Sequence, residues 1–113
     1  MDTNSNTVGR YDLAIIRGAT FRRTFRWLND DLTPISLVGA SVAVYIEPPT
    51  GATLVFDAAS GNITLTAAEG KVVLLITDEQ TGVFIFGLAR YKMLVQHSNG
   101  EVTRLLEGNV TVD

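Results

Sequence analysis

The chain of 113 residues contains no cysteine and a single histidine, His97. Without cysteine there is no disulfide, no thiolate metal ligand and no cysteine nucleophile. One imidazole cannot build the sets of histidine and cysteine ligands that hold zinc. We therefore expect no metal and no other cofactor. Stability must come from packing, which a chain of this length achieves without the disulfide or metal staples needed below roughly 40 residues.

The sequence also lacks the short motifs that accompany common chemistry. It has no GxGxxG or GxxxxGK[ST] phosphate loop, no GxSxG nucleophile turn and no DxDxDG calcium loop. Two pairs of adjacent carboxylates occur, Asp30-Asp31 and Asp78-Glu79. Neighbours in a loop or at a helix start rarely converge on a substrate as a general acid and base must, so solvation and capping explain them. With His97 expected at an exposed turn, we predict no catalytic residue and no enzyme.

Long hydrophobic runs are missing as well. The longest apolar stretches, at 72–76 and 83–88, are far shorter than the roughly 20 residues of a membrane-spanning helix. The first ten residues lack the basic start and apolar centre of a secretory signal. These features predict a soluble protein of cytoplasmic origin with no membrane partner.

Charge is unevenly distributed, although the net charge is only −3. Residues 1–28 carry five arginines and two aspartates, a local charge of +3, whereas the rest has four basic and ten acidic residues, a charge of −6. Such asymmetry favours docking onto an anionic partner or onto other copies of the same protein. The overall acidity argues against a dedicated nucleic-acid binder.

The pattern that is present is strand-like alternation of apolar and polar residues. Seven to nine short strands separated by turn signals predict an all-β fold, a small antiparallel β-sandwich of Ig-like or related type or a small barrel. The segment 71–77 is nearly all apolar, which indicates a central strand covered on both faces. The predicted strands are 13–16, 21–27, 40–47, 53–56, 63–65, 71–77, 89–96, 102–106 and 109–112.

Two hairpins and two helical turns are expected within this pattern. The cluster Ser60-Gly61-Asn62 predicts a hairpin between 53–56 and 63–65. Asn99-Gly100 predicts a two-residue turn, because both residue types tolerate positive φ. That turn sets Leu94 opposite Leu105, Met93 opposite Leu106 and Lys92 opposite Glu107. Capping boxes at 66–69 and 77–80 predict one or two short helical turns.

The domain organisation follows from composition. Residues 1–9 are polar and without periodicity, which predicts a flexible N-terminal arm that reaches towards a neighbouring subunit. Residues 10–113 are expected to form one domain.

The arginine-rich segment 17–27 is the main candidate for function. Phe21, Phe25 and Trp27 share one parity and are expected to face the core, while Arg22 and Arg26 occupy the other side. We predict a docking surface, with nucleic-acid binding and simple solubility as the alternatives. A carbohydrate-binding surface would need exposed rings, for which Tyr11, Tyr45, Tyr91 and Trp27 are available. The candidate docking residues are Arg17, Arg22, Arg23 and Arg26.

Several loose motifs occur in a suggestive order. They are Ile16-Arg17-Gly18-Ala19-Thr20-Phe21, then 34–40 (PISLVGA), 70–74 (GKVVL), 77–81, Tyr91, Asn99-Gly100 and 105–110. With these motifs, residues 10–113 resemble small β-sandwich domains of tailed-bacteriophage tail proteins, of the upper-baseplate and fibre-attachment type. Such proteins often continue into a coiled coil or a receptor-binding region, which is not found before Asp113.

The resemblance implies a non-enzymatic structural role in the virion, for a protein made in the host cytoplasm. Its implied partners are other virion structural proteins, in a homo-oligomer or in multiple copies, with no nucleic acid and no membrane. Host recognition would then fall to another chain. A capsid decoration protein and a carbohydrate-binding module remain the alternatives.

Overall fold

The computed structural model describes residues 9–29 and 31–113. The predicted arm therefore lies outside the described residues except for Gly9, which pairs with Leu106 as part of a strand. Asp30 is also outside them. The described residues form nine strands, a 3-10 turn at Ala67–Glu69 and the helix α1 at Asp78–Gly82. The strands are β1 (Gly9–Arg10), β2 (Leu13–Ile15), β3 (Phe21–Arg26), β4 (Ser41–Glu47), β5 (Leu54–Asp57), β6 (Ile63–Thr66), β7 (Lys71–Ile76), β8 (Leu88–Gln96) and β9 (Val102–Val112).

The strands form two sheets, which confirms the predicted small all-β sandwich. The larger sheet has the order β1-β9-β8-β4-β5, and β2 also pairs with β9. The smaller sheet has the order β3-β7-β6. All pairings are antiparallel except those of β1 and β2, which run parallel to β9 along one edge. Within the described residues, no helix is long and apolar enough to cross a membrane.

The core lies between the two sheets, because alternate side chains of each strand face inward. β4, β7 and β8 each bury every second residue, as their alternation predicts. Burial of one such large apolar side chain contributes about 1.5–3 kcal/mol, so these three strands supply much of the packing. The inward residues of these strands are Val42, Val44, Ile46, Val72, Leu74, Ile76, Ala89, Tyr91, Met93 and Val95.

β7 is central in the smaller sheet, as predicted, but only one of its faces is fully buried. Val73 and Leu75 on the outer face are half-buried. The two-sided cover expected from the apolar run is therefore wrong. The flanking strands cover the outer face only in part, because Thr24 and Thr64, which pair with Val73, are small and exposed.

The predicted hairpin between 53–56 and 63–65 is wrong, because the chain changes sheets there. β5 pairs with β4 in the larger sheet, whereas β6 pairs with β7 in the smaller one. The side chain of Asn62 fixes this crossover. It is buried, and its Nδ2 donates to the carbonyl of Leu75 at 2.7 Å and to Oε1 of Gln80 at 2.7 Å. Asn62 therefore acts as a buried polar anchor as well as a turn residue.

The last hairpin has a three-residue loop instead of the predicted two-residue turn. The amide of His97 donates to the carbonyl of Glu101 at 2.8 Å, and that of Gly100 donates to the carbonyl of His97 at 2.9 Å. Gly100 has φ +92°, as the third loop residue of such a hairpin requires. The extra loop residue moves the register by one position.

A β-bulge then restores the predicted register further along the hairpin. Leu94 lies opposite Arg104 and not Leu105, and the register shifts between Met93 and Leu94. Beyond the shift, the predicted pairs of Met93 with Leu106 and of Lys92 with Glu107 are confirmed.

Both predicted helical turns are present, but only one has its capping box. At the start of α1, Thr77 Oγ1 accepts from the amide of Gln80 at 3.1 Å, and Gln80 Oε1 accepts from the amide of Thr77 at 2.9 Å. Before the 3-10 turn, Thr66 makes no side-chain cap. The box predicted at 66–69 is therefore wrong, although the turn itself forms.

Candidate docking surface

The four candidate arginines do not form one surface. β3 is an edge strand of the smaller sheet. As in any β-strand, its successive side chains face opposite sides of the sheet. Arg22 and Arg26 lie on the outer face, whereas Arg23 has the parity of the core residues Phe21 and Phe25. Arg17 lies in the turn that precedes β3.

Arg17 holds another loop of the same chain. Its Nε donates to the carbonyl of Phe84 at 2.8 Å, and its Nη2 donates to the carbonyl of Phe86 at 3.0 Å. The guanidinium thereby fixes the segment between α1 and β8. This engagement gives Arg17 a structural role, although its side chain remains exposed.

Arg23 covers aromatic rings at the edge of the sandwich. Its guanidinium carbon lies 5.4 Å from the ring centroid of Tyr11 and 5.9 Å from that of Phe21. The Tyr11 ring in turn meets Phe25 edge-on at 5.8 Å. A charged residue of inward parity on an edge strand hinders the addition of a foreign strand. Arg23 is therefore placed to shield the edge.

Arg22 and Arg26 share the outer face of the smaller sheet with Lys71, which the sequence analysis missed. The register of β3 and β7 sets Arg26 opposite Lys71 and Arg22 opposite Leu75. Alternation within β7 already assigns Lys71 to the side away from the core. Its pairing with β3, some 45 residues away, has no local signal. We call Arg22, Arg26 and Lys71 the basic face.

Ion pairing distinguishes the basic face from the outer face of the larger sheet. Among the described residues, ion pairs form between Lys92 and Glu47 at 3.4 Å and between Arg104 and Glu107 at 3.1 Å. All four of these side chains belong to the larger sheet. No carboxylate of the described chain pairs with the basic face.

The rings considered for carbohydrate binding are dispersed. Tyr91 is only 2% exposed, and the Nζ of Lys92 lies 5.8 Å from the ring centroid of half-buried Tyr45. Trp27 is half-buried with its ring 6.4 Å from that of His97, while Tyr11 lies under Arg23. These four rings therefore provide no shared stacking platform.

The titratable groups singled out in the sequence have local structural partners. Asp31 accepts hydrogen bonds from the hydroxyl of Thr33 at 2.6 Å and from its amide at 3.1 Å, which lowers the pKa of Asp31. Asp78 and Glu79 occupy the first turn of α1. The His97 Nε2 lies 2.9 Å from the hydroxyl of Thr103, and His97 is half-buried instead of exposed. Over residues 9–29 and 31–113, no three His, Cys, Asp or Glu side chains cluster as metal ligands do.

Two grooves mark the surface of the described chain. One of about 300 Å³ lies between the sheets at the end of β3, and Arg26 is its only charged lining residue. The other, of about 470 Å³, is lined by residues of β4, β6 and β8 and by the link between β5 and β6. The first groove is lined by Gly9, Phe25, Arg26, Trp27, Gly70, Leu105 and Leu106.

Comparison with known proteins assigns no family. No protein-family model matches the chain, and no curated protein matches it.

Proposed function

We propose that this protein is a non-enzymatic structural component of a tailed-phage virion, at the baseplate or a fibre attachment point of the tail. It docks there onto other virion proteins through the basic face. The observation that supports this proposal is the set of three cations, Arg22, Arg26 and Lys71, with no carboxylate partner in the described chain.

The chemistry of the face favours an acidic protein surface as the partner. Adjacent like charges repel one another, and an opposed carboxylate surface removes that cost while it steers and registers docking. The residues between the cations are Thr24, Val73 and Leu75, which supply a flat and partly apolar contact area. No aromatic ring stands among them to stack a base, so a single-stranded nucleic acid fits this face less well.

The proposal is tested by locating the protein in particles. Virions released from cells that carry this gene are purified, and an antibody raised against the domain is used for immunogold electron microscopy. Label at the tail end supports the proposal. Label over the capsid favours a decoration protein instead, and particles without label contradict a virion role. A glycan array with the purified protein tests the carbohydrate alternative, since specific glycan binding would favour a binding module.

A further inference from the structure

One end of the sandwich carries exposed apolar side chains. Ile85 is 96% exposed and Val83 is 74% exposed, both in the segment that links α1 to β8. Ile16 and Leu88, at 58% and 55%, flank this segment. Exposed apolar groups that are grouped in this way mark interaction sites more often than isolated ones do. We call these four residues the apolar tip.

The apolar tip is held rigidly by the rest of the fold. Arg17 donates to the carbonyls on both sides of Ile85, those of Phe84 and Phe86. Buried Thr81 joins the end of α1 to the turn before β3, because its hydroxyl donates to the carbonyl of Ala19 at 2.8 Å. A tip fixed in this way loses little conformational freedom when it binds, which favours association.

The packing of two neighbouring rings explains the unusual exposure of Ile85. The Phe84 ring is buried and stacks on that of Phe86 with centroids 5.1 Å apart. Phe84 is buried and Phe86 is half-buried, so the residues on both sides of Ile85 face inward while Ile85 itself faces outward. The exposure therefore follows from a specific local structure.

The apolar groove of about 300 Å³ lies towards the opposite end of β3. At the tip end, Phe21 pairs with Ile76, which lies just before α1. At the other end, Arg26 pairs with Lys71, beside the groove residues Trp27 and Gly70. The groove has room for a branched aliphatic side chain such as that of Ile85, and most of its lining is apolar.

Acidic residues lie beside the tip and basic residues beside the groove, although the guanidinium of Arg17 also lies at the tip. Asp78 and Glu79 lie on α1, immediately before the tip. Arg26 lines the groove and Lys71 lies opposite it, while Glu69 precedes the groove residue Gly70 and Glu107 follows Leu106. An apolar contact between tip and groove would therefore also bring unlike charges together.

We propose that the apolar tip of one copy inserts into the apolar groove of a second copy. Tip and groove are different surfaces, so the contact is head-to-tail and leaves a free tip and a free groove on the pair. Such heterologous contacts continue into a ring if the rotation closes, or into an open chain if it does not. The groove adjoins the basic face at Arg26, but association between copies of the chain goes beyond the docking function proposed above.

The test uses the full chain and two variants, with mass measured by sedimentation equilibrium over a hundredfold range of concentration. The wild-type mass is expected to rise above the 12.2 kDa of the monomer as concentration increases. Ile85→Asp at the tip and Leu105→Glu in the groove should each weaken association at least tenfold. Val55→Asp, at an exposed apolar position of β5, is the matched control and should associate like wild type.

A mixture of the two variants makes the test specific. The Leu105→Glu copy keeps an intact tip and the Ile85→Asp copy keeps an intact groove, so the mixture should form a 1:1 dimer that neither variant forms alone. Because Ile85 is almost fully exposed, its substitution should leave the thermal unfolding unchanged and loss of folding cannot explain the result.

Three outcomes would overturn the proposal. The first is a wild-type chain that stays monomeric over the whole concentration range. The second is a Leu105→Glu variant that is folded, as judged by thermal unfolding, and still associates with itself, which would indicate a tip-to-tip contact. The third is association that survives Ile85→Asp but is lost on deletion of residues 1–8, which would make the N-terminal segment the occupant of the groove.

Discussion

The outer faces of the two sheets are built alike but carry their charges differently. The larger sheet pairs two of its outward cations internally, Lys92 with Glu47 and Arg104 with Glu107, while Arg90 forms no ion pair within the described residues. The smaller sheet sets Arg22 opposite Leu75 and Arg26 opposite Lys71, with no such pairing in the described chain. The inward side chains of each strand form the core, so the outward side chains are not constrained by core packing. Within the described residues, the three outward cations of the smaller sheet form no ion pair, whereas the larger sheet pairs two of its own.

The two sheets also differ in how they are anchored. At the edge of the larger sheet, the backbone of Tyr11 lies against Gly108, and the hydroxyl of buried Tyr91 donates to the carbonyl of Tyr11. The smaller sheet depends instead on the buried side chain of Asn62, which links β7 to α1. One anchor is therefore a close backbone approach and the other is a polar side-chain network.

The largest effect is expected from Gly108→Ala in the larger sheet. A Cβ at this position would lie 2.3 Å from the carbonyl oxygen of Tyr11, so the edge strands would have to move. We expect a loss of roughly 3 kcal/mol in the free energy of unfolding, at the upper end of overpacking costs. The control is Gly87→Ala, whose nearest heavy atom is 3.9 Å away. Equal denaturation midpoints for the two variants would show that the close approach is absent.

Asn62→Ala tests the anchor of the smaller sheet. Removal of the amide takes a buried donor from the carbonyl of Leu75 and one of the donors from the Oε1 of Gln80, so we expect a loss of about 2 kcal/mol. Urea denaturation measures it. Thr64→Ala, at an exposed position of the adjacent strand, should lose much less. If both variants lose equally little, the network does not hold the crossover.

Tyr91→Phe probes the larger sheet and adds a dependence on pH. Burial, aided by the charge of Asp12, raises the pKa of Tyr91 from 10.0 to about 12. The folded state therefore holds the phenolic proton more tightly, so this stabilisation is complete below pH 10 and is lost between pH 10 and 12. We expect Tyr91→Phe to cost about 1 kcal/mol at pH 7 through loss of one hydrogen bond.

The same variant should lack the part of the alkaline destabilisation that comes from Tyr91. The difference in unfolding free energy between wild type and Tyr91→Phe should therefore narrow or reverse as the pH rises from 10 to 12. A constant difference over that range would contradict the raised pKa.

Charge reversal on the two outer faces should change the free energy of unfolding by small but different amounts. Arg104→Glu breaks an ion pair and places two carboxylates together, so we expect a loss of about 0.5 kcal/mol that shrinks at high salt. Arg22→Glu should change stability less, or raise it slightly, since it reduces repulsion on the basic face. Thermal unfolding at low and high salt compares them. A larger loss for Arg22→Glu would show that this arginine has a partner within the chain.

Local patterns predicted the features that depend on local physics. Alternation located β4, β7 and β8, and the motif starting at Thr77 located α1 and its capping box. The same alternation placed Arg22 and Arg26 on the side of β3 away from the core. Two of the three residues of the basic face were therefore predictable from the sequence.

Features that depend on distant partners were not predictable. The hydrogen bonds from the Arg17 side chain to the carbonyls of Phe84 and Phe86 span 67 and 69 residues. No sequence pattern near Arg17 predicts them. The change of sheet after Phe56 depends on which strands pair, and the alternation within a strand does not specify its partner. The loop of the last hairpin differs from the prediction because Asn-Gly suits both two-residue and three-residue loops.

The docking role of the basic face is tested most directly by the number of copies of this protein per particle. Virions would be produced with the wild-type chain, with Arg22→Glu/Arg26→Glu, or with Arg90→Glu, an exposed reversal on the larger sheet, and the copies counted by quantitative mass spectrometry. We predict at least a tenfold drop for the double variant and no change for Arg90→Glu. Equal incorporation of all three chains would contradict the assignment of the basic face as the docking surface.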